Sequence, residues 1–342
     1  MTSQETPPGD GGRATEESFE DRSTALVVFG VFHLLVALFF LFGLALMTSA
    51  AFLQGALPEP DGAAAVAQPG TGGLLGVAMI YLLIAGAFGW LGVGSILGRR
   101  WARALSLVVG WYWLITGALS FVFVVILWGS IAEMIESSMA SVPEASGGSP
   151  EGMTGFVLSF MLLIIGLFGI LAPGALVLFY RSPDVRATCE RKDPTPRWTD
   201  TRPLPILALM MLHLGPALGV FYLPASNYVT AAFGRVISGE VAFLYTGAMA
   251  VASLWCAWRL WHLDVRGWWG AVAFWVASGI SSAFLFVGDT QAQLYEAMGL
   301  ADDQAFTIPF SEMGPLAALS SLAFLIFLLY TKQFMKPASL DL

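Results

Sequence analysis

The sequence predicts an all-α fold: a polytopic transmembrane bundle of eight helices, built as two parallel four-helix repeats. Three observations predict it. Charged residues are too scarce to cover a water-soluble surface, eight apolar runs are about long enough to cross a bilayer, and matched residues recur in order in the two halves.

Of the 342 residues, 57% are hydrophobic and 12% charged, against about 25% charged in an average soluble domain. Most of the surface must therefore face lipid. The net charge of −8 excludes nucleic acid as a partner, because that partner requires a basic face. The two cysteines, Cys189 and Cys256, form no CxxC or Cys/His cluster. No disulfide framework and no metal site is expected.

Residues 1–24 are polar, acidic and rich in Pro and Gly, and read as a disordered cytoplasmic tail that buries too little apolar surface to offset the entropy of ordering. This tail lacks the basic region of a secretory signal, so the first span is expected to stay uncleaved. The small-residue stretch Thr48-Ser49-Ala50-Ala51 is the one place that would permit cleavage.

The apolar runs cover residues 25–47, 74–97, 104–128, 156–180, 204–223, 241–260, 268–287 and 313–330. A hydrocarbon core of about 30 Å takes roughly 20 helical residues. Helices are required because lipid offers no partner to open backbone groups. The amphipathic segment 131–139 continues the third span along the outer surface.

Basic residues set the orientation. Arg99, Arg100 and Arg103 follow the second span; Arg181, Arg186, Arg191, Lys192, Arg197 and Arg202 follow the fourth; Arg266, Lys332 and Lys336 fall on the same side. The opposite connections hold Arg235 alone among acids such as Glu59, Asp61, Glu133, Glu136 and Asp289. The positive-inside rule assigns the basic set and both termini to the cytoplasm of a bacterial inner membrane. Trp101, Trp258, Trp261, Trp268 and Trp269 gather at that side, where indoles anchor spans at the headgroup level. Arg259, Asp264 and Arg266 make a charged turn there, explained by a snorkelling arginine and an ion pair. Cys189, in the linker, is expected to accept an impermeant thiol reagent only after cells are opened.

The repeat rests on three matches: Phe32-His33-Leu34 with Leu212-His213-Leu214, Arg99-Arg100-Trp101 with Arg266-Gly267-Trp268, and Tyr180-Arg181 with Tyr330-Thr331-Lys332. An even number of helices per unit gives both copies one orientation, about an axis along the membrane normal. The chain then divides into repeats over 25–180 and 204–330, a cytoplasmic linker over 181–203, and a cytoplasmic tail over 331–342.

The linker run Tyr180-Arg181-Ser182-Pro183-Asp184-Val185-Arg186-Ala187-Thr188-Cys189-Glu190, with Asp193-Pro194-Thr195-Pro196-Arg197-Trp198-Thr199-Asp200, resembles a cytoplasmic loop of uncharacterised bacterial polytopic membrane proteins. The resemblance covers residues 180–200. It implies a bacterial source and a membrane location, and supplies no activity.

His33 and His213 are the ionisable side chains deep inside the spans, roughly 12–14 Å from the basic start of their helices at about 1.5 Å per residue. Two readings follow. The pair binds haem b through two imidazoles, or each ring is neutral and hydrogen-bonded to a neighbouring helix. The second is the expectation, with no cofactor bound. The spans hold no Asp or Glu, which disfavours ion-coupled transport. Pro173-Gly174 and Gly215-Pro216 occupy unmatched positions in the two halves, so no paired broken helices are read. Neither Ser/His/Asp nor HExxH spacing occurs in the spans, so no catalytic residue is assigned. Besides the lipid bilayer, the small-residue faces at Gly89, Gly94 and Gly98 are expected to receive a helix of the same chain, with other membrane subunits as the alternative partner. Function is thus read as non-enzymatic, a structural or accessory subunit or an uncoupled transport-like protein.

Overall fold

The computed structural model describes residues 20–56, 71–140, 150–299 and 324–335. Seven of the helices there are long and apolar enough to cross a membrane. The chain is a multi-pass helical bundle. Much of what it exposes is aliphatic or aromatic: Leu35, Phe39, Phe42, Leu163, Leu171, Leu244 and Val251 all face outward. Such a surface is stable only against hydrocarbon.

Helix α1 (Ser23–Ala56) pairs with α2 (Thr71–Ile96). They approach closely where Gly30 faces Gly92, since a Cβ on Gly30 would meet the Gly92 carbonyl at 2.8 Å. Gly98, at φ 65°, turns the chain into α3 (Arg100–Ile126). Leu127 breaks α3 from the amphipathic α4 (Trp128–Ala140), whose Ile131 packs on Leu158 of the next span.

The fourth span is composite: α5 (Pro150–Ile164), a wider-wound segment over Ile165–Leu171, and α6 (Ala172–Tyr180). Pro173 explains the widening. It lacks an N–H, and its ring crowds the carbonyl one turn earlier, that of Gly169. The Ala172 N–H accordingly reaches back to the Leu167 carbonyl. The widened stretch lies against α3, where a Cβ on Gly117 would run into the Gly169 carbonyl.

The linker is ordered. It holds α7 (Pro183–Lys192) and a short helical turn, Trp198–Thr201. Asp193 is buried beneath it, with its side chain 2% exposed. Arg197 grips that carboxylate through Nε and Nη2 at 2.7–3.1 Å, and Arg99 adds a longer contact at 3.8 Å. The hydrogen bonds from Arg197, with Arg99 nearby, hold the Asp193 carboxyl below the usual carboxylate range. Arg103 donates to the Tyr180 carbonyl, and the Arg22 N–H donates to Thr188. The linker is therefore docked on the basic ends of α1 and α3. Cys189 is buried with it, and burial pushes its thiol up to about 11. Burial slows any thiol reagent at Cys189, whichever side of the membrane it faces.

Helix α8 (Leu204–Tyr222) pairs with α9 (Gly239–Trp261). Arg202 closes their basic end, donating to the Trp261 carbonyl at 2.6 Å with its guanidinium 5.2 Å from that indole. Between α8 and α9 stands an antiparallel hairpin, β1 (Val229–Ala232) and β2 (Arg235–Ser238), absent from the sequence expectation. Its turn residues Phe233 and Gly234 have φ of 49° and 75°, as a tight hairpin turn demands. The Phe233 N–H donates to Ser281 of α10 (Val265–Leu285), so the hairpin is fastened to the bundle. Helix α11 (Thr290–Ala297) follows, with Thr290 donating to the hairpin's Gly234 carbonyl at 3.4 Å.

The eighth predicted span, 313–330, lies partly outside the described residues. Its described part is a short apolar helix, Phe324–Phe334. Leu328 of that helix joins Ile206, Leu209, Leu260, Trp268 and Ala271 in a buried cluster. Trp268 is no interface anchor: it is 2% exposed and donates to the Leu328 carbonyl at 2.8 Å. Trp258 and Trp269, exposed at the same end, fit the anchor role. At the charged turn, Arg259 pairs with Asp264 at 2.9 Å, and Asp264 caps α10 by accepting the Arg266 N–H. Residues 1–19, 57–70, 141–149, 300–323 and 336–342 lie outside the described residues.

Candidate functional site

His33 and His213 are both fully buried, on α1 and α8 respectively. Around His33 stand Phe32 of its own helix, Phe88 of α2 and Tyr180 of α6, with ring centroids 5.8–6.2 Å away. Around His213 stand Phe274 and Trp275 of α10, at 5.4 and 5.7 Å. These ring contacts have no member in common, and the two imidazoles make none with each other.

The hydrogen bonds determine the tautomers. His33 Nδ1 lies 2.8 Å from the Phe29 carbonyl, one turn earlier on α1. A carbonyl only accepts, so Nδ1 carries the proton and Nε2 keeps a lone pair. At His213 the Ser253 hydroxyl donates to the His213 carbonyl at 2.7 Å. Its single hydrogen is thereby used, so the 3.0 Å contact with His213 Nδ1 has the ring donating to Ser253. Both histidines thus have a protonated Nδ1 and a bare Nε2. Each Nε2 is buried with no hydrogen-bond partner among the described residues. The Trp275 indole N–H, beside His213, also lacks one.

The remaining deep polar groups join helix to helix. Ser95 of α2 donates to the Leu26 carbonyl of α1 at 3.1 Å and shares a 2.5 Å hydrogen bond with the Tyr180 hydroxyl of α6. Three spans meet at that one hydroxyl pair. Sequence reading singled out the histidines and missed Ser253, Ser95 and Tyr180 as their setting. The signal was present as hydroxyls inside apolar spans, which lipid forces to find partners.

The small-residue faces are only partly free. A Cβ on Gly94 would meet Trp101 and Ala102 of α3, and one on Gly98 would meet Lys192 of the linker. Both positions are covered by this chain's own residues. Gly89 has open space beside it. Among the described residues, no cluster of three or more His, Cys, Asp or Glu offers a metal site. Comparison with protein-family models, with curated proteins and with solved structures finds no match to this chain.

Proposed function

We propose that the protein is a non-enzymatic scaffold or accessory subunit of a bacterial inner membrane, with eight spans in two parallel four-helix units and both termini in the cytoplasm. The observation that carries this reading is the use made of the deep polar side chains. Ser253, Ser95, Tyr180 and Trp268 each tie one span to another.

Duplication is supported by burial. At one constant offset, Ala85, Leu91, Gly92 and Ser95 of α2 fall on Ala250, Cys256, Ala257 and Leu260 of α9, all buried. The same offset carries Gly98 onto Leu263, both at positive φ (65° and 58°), and Ala102 and Ser106 onto buried Gly267 and Ala271. At a second offset, 15 residues larger, Leu26 and His33 of α1 correspond to buried Ile206 and His213 of α8. At the first offset Trp101 falls on Arg266, so the Trp101–Trp268 match of the sequence reading is displaced. Tyr330 is 54% exposed while Tyr180 is buried, so those tyrosines are not equivalent; buried Thr331 is the better counterpart. The orientation rests on the basic residues of the linker and the turns.

The test is reconstitution into vesicles carrying small entrapped solutes and ions. A scaffold leaves their leakage at the level of protein-free vesicles. A saturable flux would replace this reading with an uncoupled carrier.

One observation favours a second reading, haem b held by His33 and His213: Nδ1 protonation leaves both Nε2 lone pairs available, as iron ligation requires. The separate aromatic surroundings of the two rings weigh against a shared iron. The visible absorption spectrum of protein purified without added cofactor decides between them, a haem Soret band supporting the second reading.

A further inference from the structure

The basic ends of α9, α10 and the last described helix carry more cations than acids. Arg259 stands in the last turn of α9, Arg266 in the first turn of α10, and Lys332 in the last turn of Phe324–Phe334. Asp264 is the one acid at this end among the described residues. One of its oxygens accepts from Arg259 Nη1 at 2.9 Å and the other from the Arg266 backbone N–H at 2.8 Å. Three cations against one carboxylate leave a surplus of two. The side chains of Arg266 and Lys332 pair with no carboxylate among the described residues, and both residues are exposed.

The Lys332 ammonium is held in place by aromatic rings. Its Nζ lies 5.2 Å from the Trp268 ring centroid and 5.4 Å from that of Trp269. Trp268 is itself fixed by burial and by its bond to the Leu328 carbonyl, and Trp269 meets it edge to face at 4.8 Å. Indole faces attract the cation but accept no N–H of ordinary strength, so the ammonium donors stay open to an anionic oxygen. Trp269 is 57% exposed. Arg266 precedes Trp269 by three residues, which makes them neighbours on the surface of α10. An exposed indole thus lies between a fixed ammonium and an unpaired guanidinium, at the depth of the lipid headgroups.

We propose that Arg266, Trp269 and Lys332 bind the headgroup of one anionic phospholipid, the two cations taking its phosphate oxygens and the indole lying against its glycerol. The proposal rests on the membrane-spanning reading and is independent of whether the protein is a scaffold. The charge surplus selects an anionic lipid, because a zwitterionic headgroup brings its own ammonium and leaves both cations uncompensated. The exposed indole selects a lipid over a free phosphate, because its apolar body needs cover at that depth.

Native mass spectrometry of the full chain in mild detergent tests it. The probes are phosphatidylglycerol, phosphatidylethanolamine of the same acyl chains, and glycerol 3-phosphate. The expected result is one phosphatidylglycerol retained about tenfold more tightly than phosphatidylethanolamine, with no retention of glycerol 3-phosphate. Arg266→Gln and Lys332→Gln should each weaken phosphatidylglycerol about fivefold, the share of one basic residue at a membrane surface. If Lys332→Gln loosens the last helix, which a lower melting temperature would show, Arg266→Gln carries the test alone. Arg181→Gln removes another exposed arginine of the basic side, after α6, and should leave retention unchanged. Equal retention of the two lipids would overturn the proposal, as would a loss in Arg181→Gln as large as in Arg266→Gln. So would displacement of the lipid by glycerol 3-phosphate or by a hexaglutamate peptide. The vesicle leakage test bears on the scaffold reading separately.

Discussion

The hydroxyl of Ser253 donates to the His213 carbonyl at 2.7 Å and accepts from the His213 ring at 3.0 Å, so one side chain on α9 holds both backbone and imidazole of α8. Ser253→Ala removes both bonds and leaves His213 Nδ1 without an acceptor. Interhelical hydrogen bonds in membranes contribute about 0.6 kcal/mol each and rarely above about 1.7. The variant should therefore lose about 1–2 kcal/mol, read as a lower melting temperature in detergent. Ser253→Thr keeps the hydroxyl and should recover most of it. An unshifted melting curve for Ser253→Ala would show that the contact contributes nothing.

A second prediction concerns Gly117. Because its Cβ would run into the Gly169 carbonyl in the widened turn of the fourth span, Gly117→Ala should cost about 1–3 kcal/mol, as overpacking does. Gly86→Ala, with nothing within 4 Å, should leave the melting temperature unchanged. Equal effects of the two substitutions would sink the close-packing argument.

The docked linker makes a third. Asp193→Asn weakens the grip of Arg197 and Arg99, so Cys189 should react with a maleimide faster at neutral pH. An increase of about tenfold corresponds to about 1.4 kcal/mol of lost local stability. Acid should act likewise. The Asp193 carboxyl is held below its ordinary range. Its contribution is therefore complete above the unfolded value near about 3.9 and is lost as pH falls through the lower folded value. Hydrogen exchange over residues 183–201, corrected for intrinsic rate, should stay slow down to about pH 4 and quicken below it. Protection independent of both Asp193 and pH would mean that the linker docks by other contacts.

Seven spans were legible in the sequence because an apolar run of bilayer length has one backbone solution. The ends at Gly98 and at the 262–264 turn were legible too, whereas α1 runs on to Ala56, well past the expected end at 47. The hairpin was not. Val229-Thr230 and Val236-Ile237 are β-branched pairs flanking Phe233-Gly234, yet a short connection between spans masks a two-strand signal. The linker's order was hidden because it depends on Asp193 meeting Arg99 from a distant turn. The anchor role expected of Trp268 failed for a related reason: identity of an indole says nothing of its direction, and Trp268 points inward to Leu328. The two histidines were found as the deep ionisable residues. Their tautomers came only from Phe29 and Ser253.

Two four-helix units of one orientation would put the linker and the last residues on the same side of the membrane, and topology mapping measures that directly. In a background of Cys189→Ser and Cys256→Ser, single cysteines replace Arg235 in the hairpin, Thr201 in the linker and Leu342 at the end of the chain. An impermeant maleimide applied to intact cells should label position 235 alone. Positions 201 and 342 should react only after the cells are opened. Labelling of position 342 in intact cells would give an odd number of crossings, and the paired four-helix units would be contradicted.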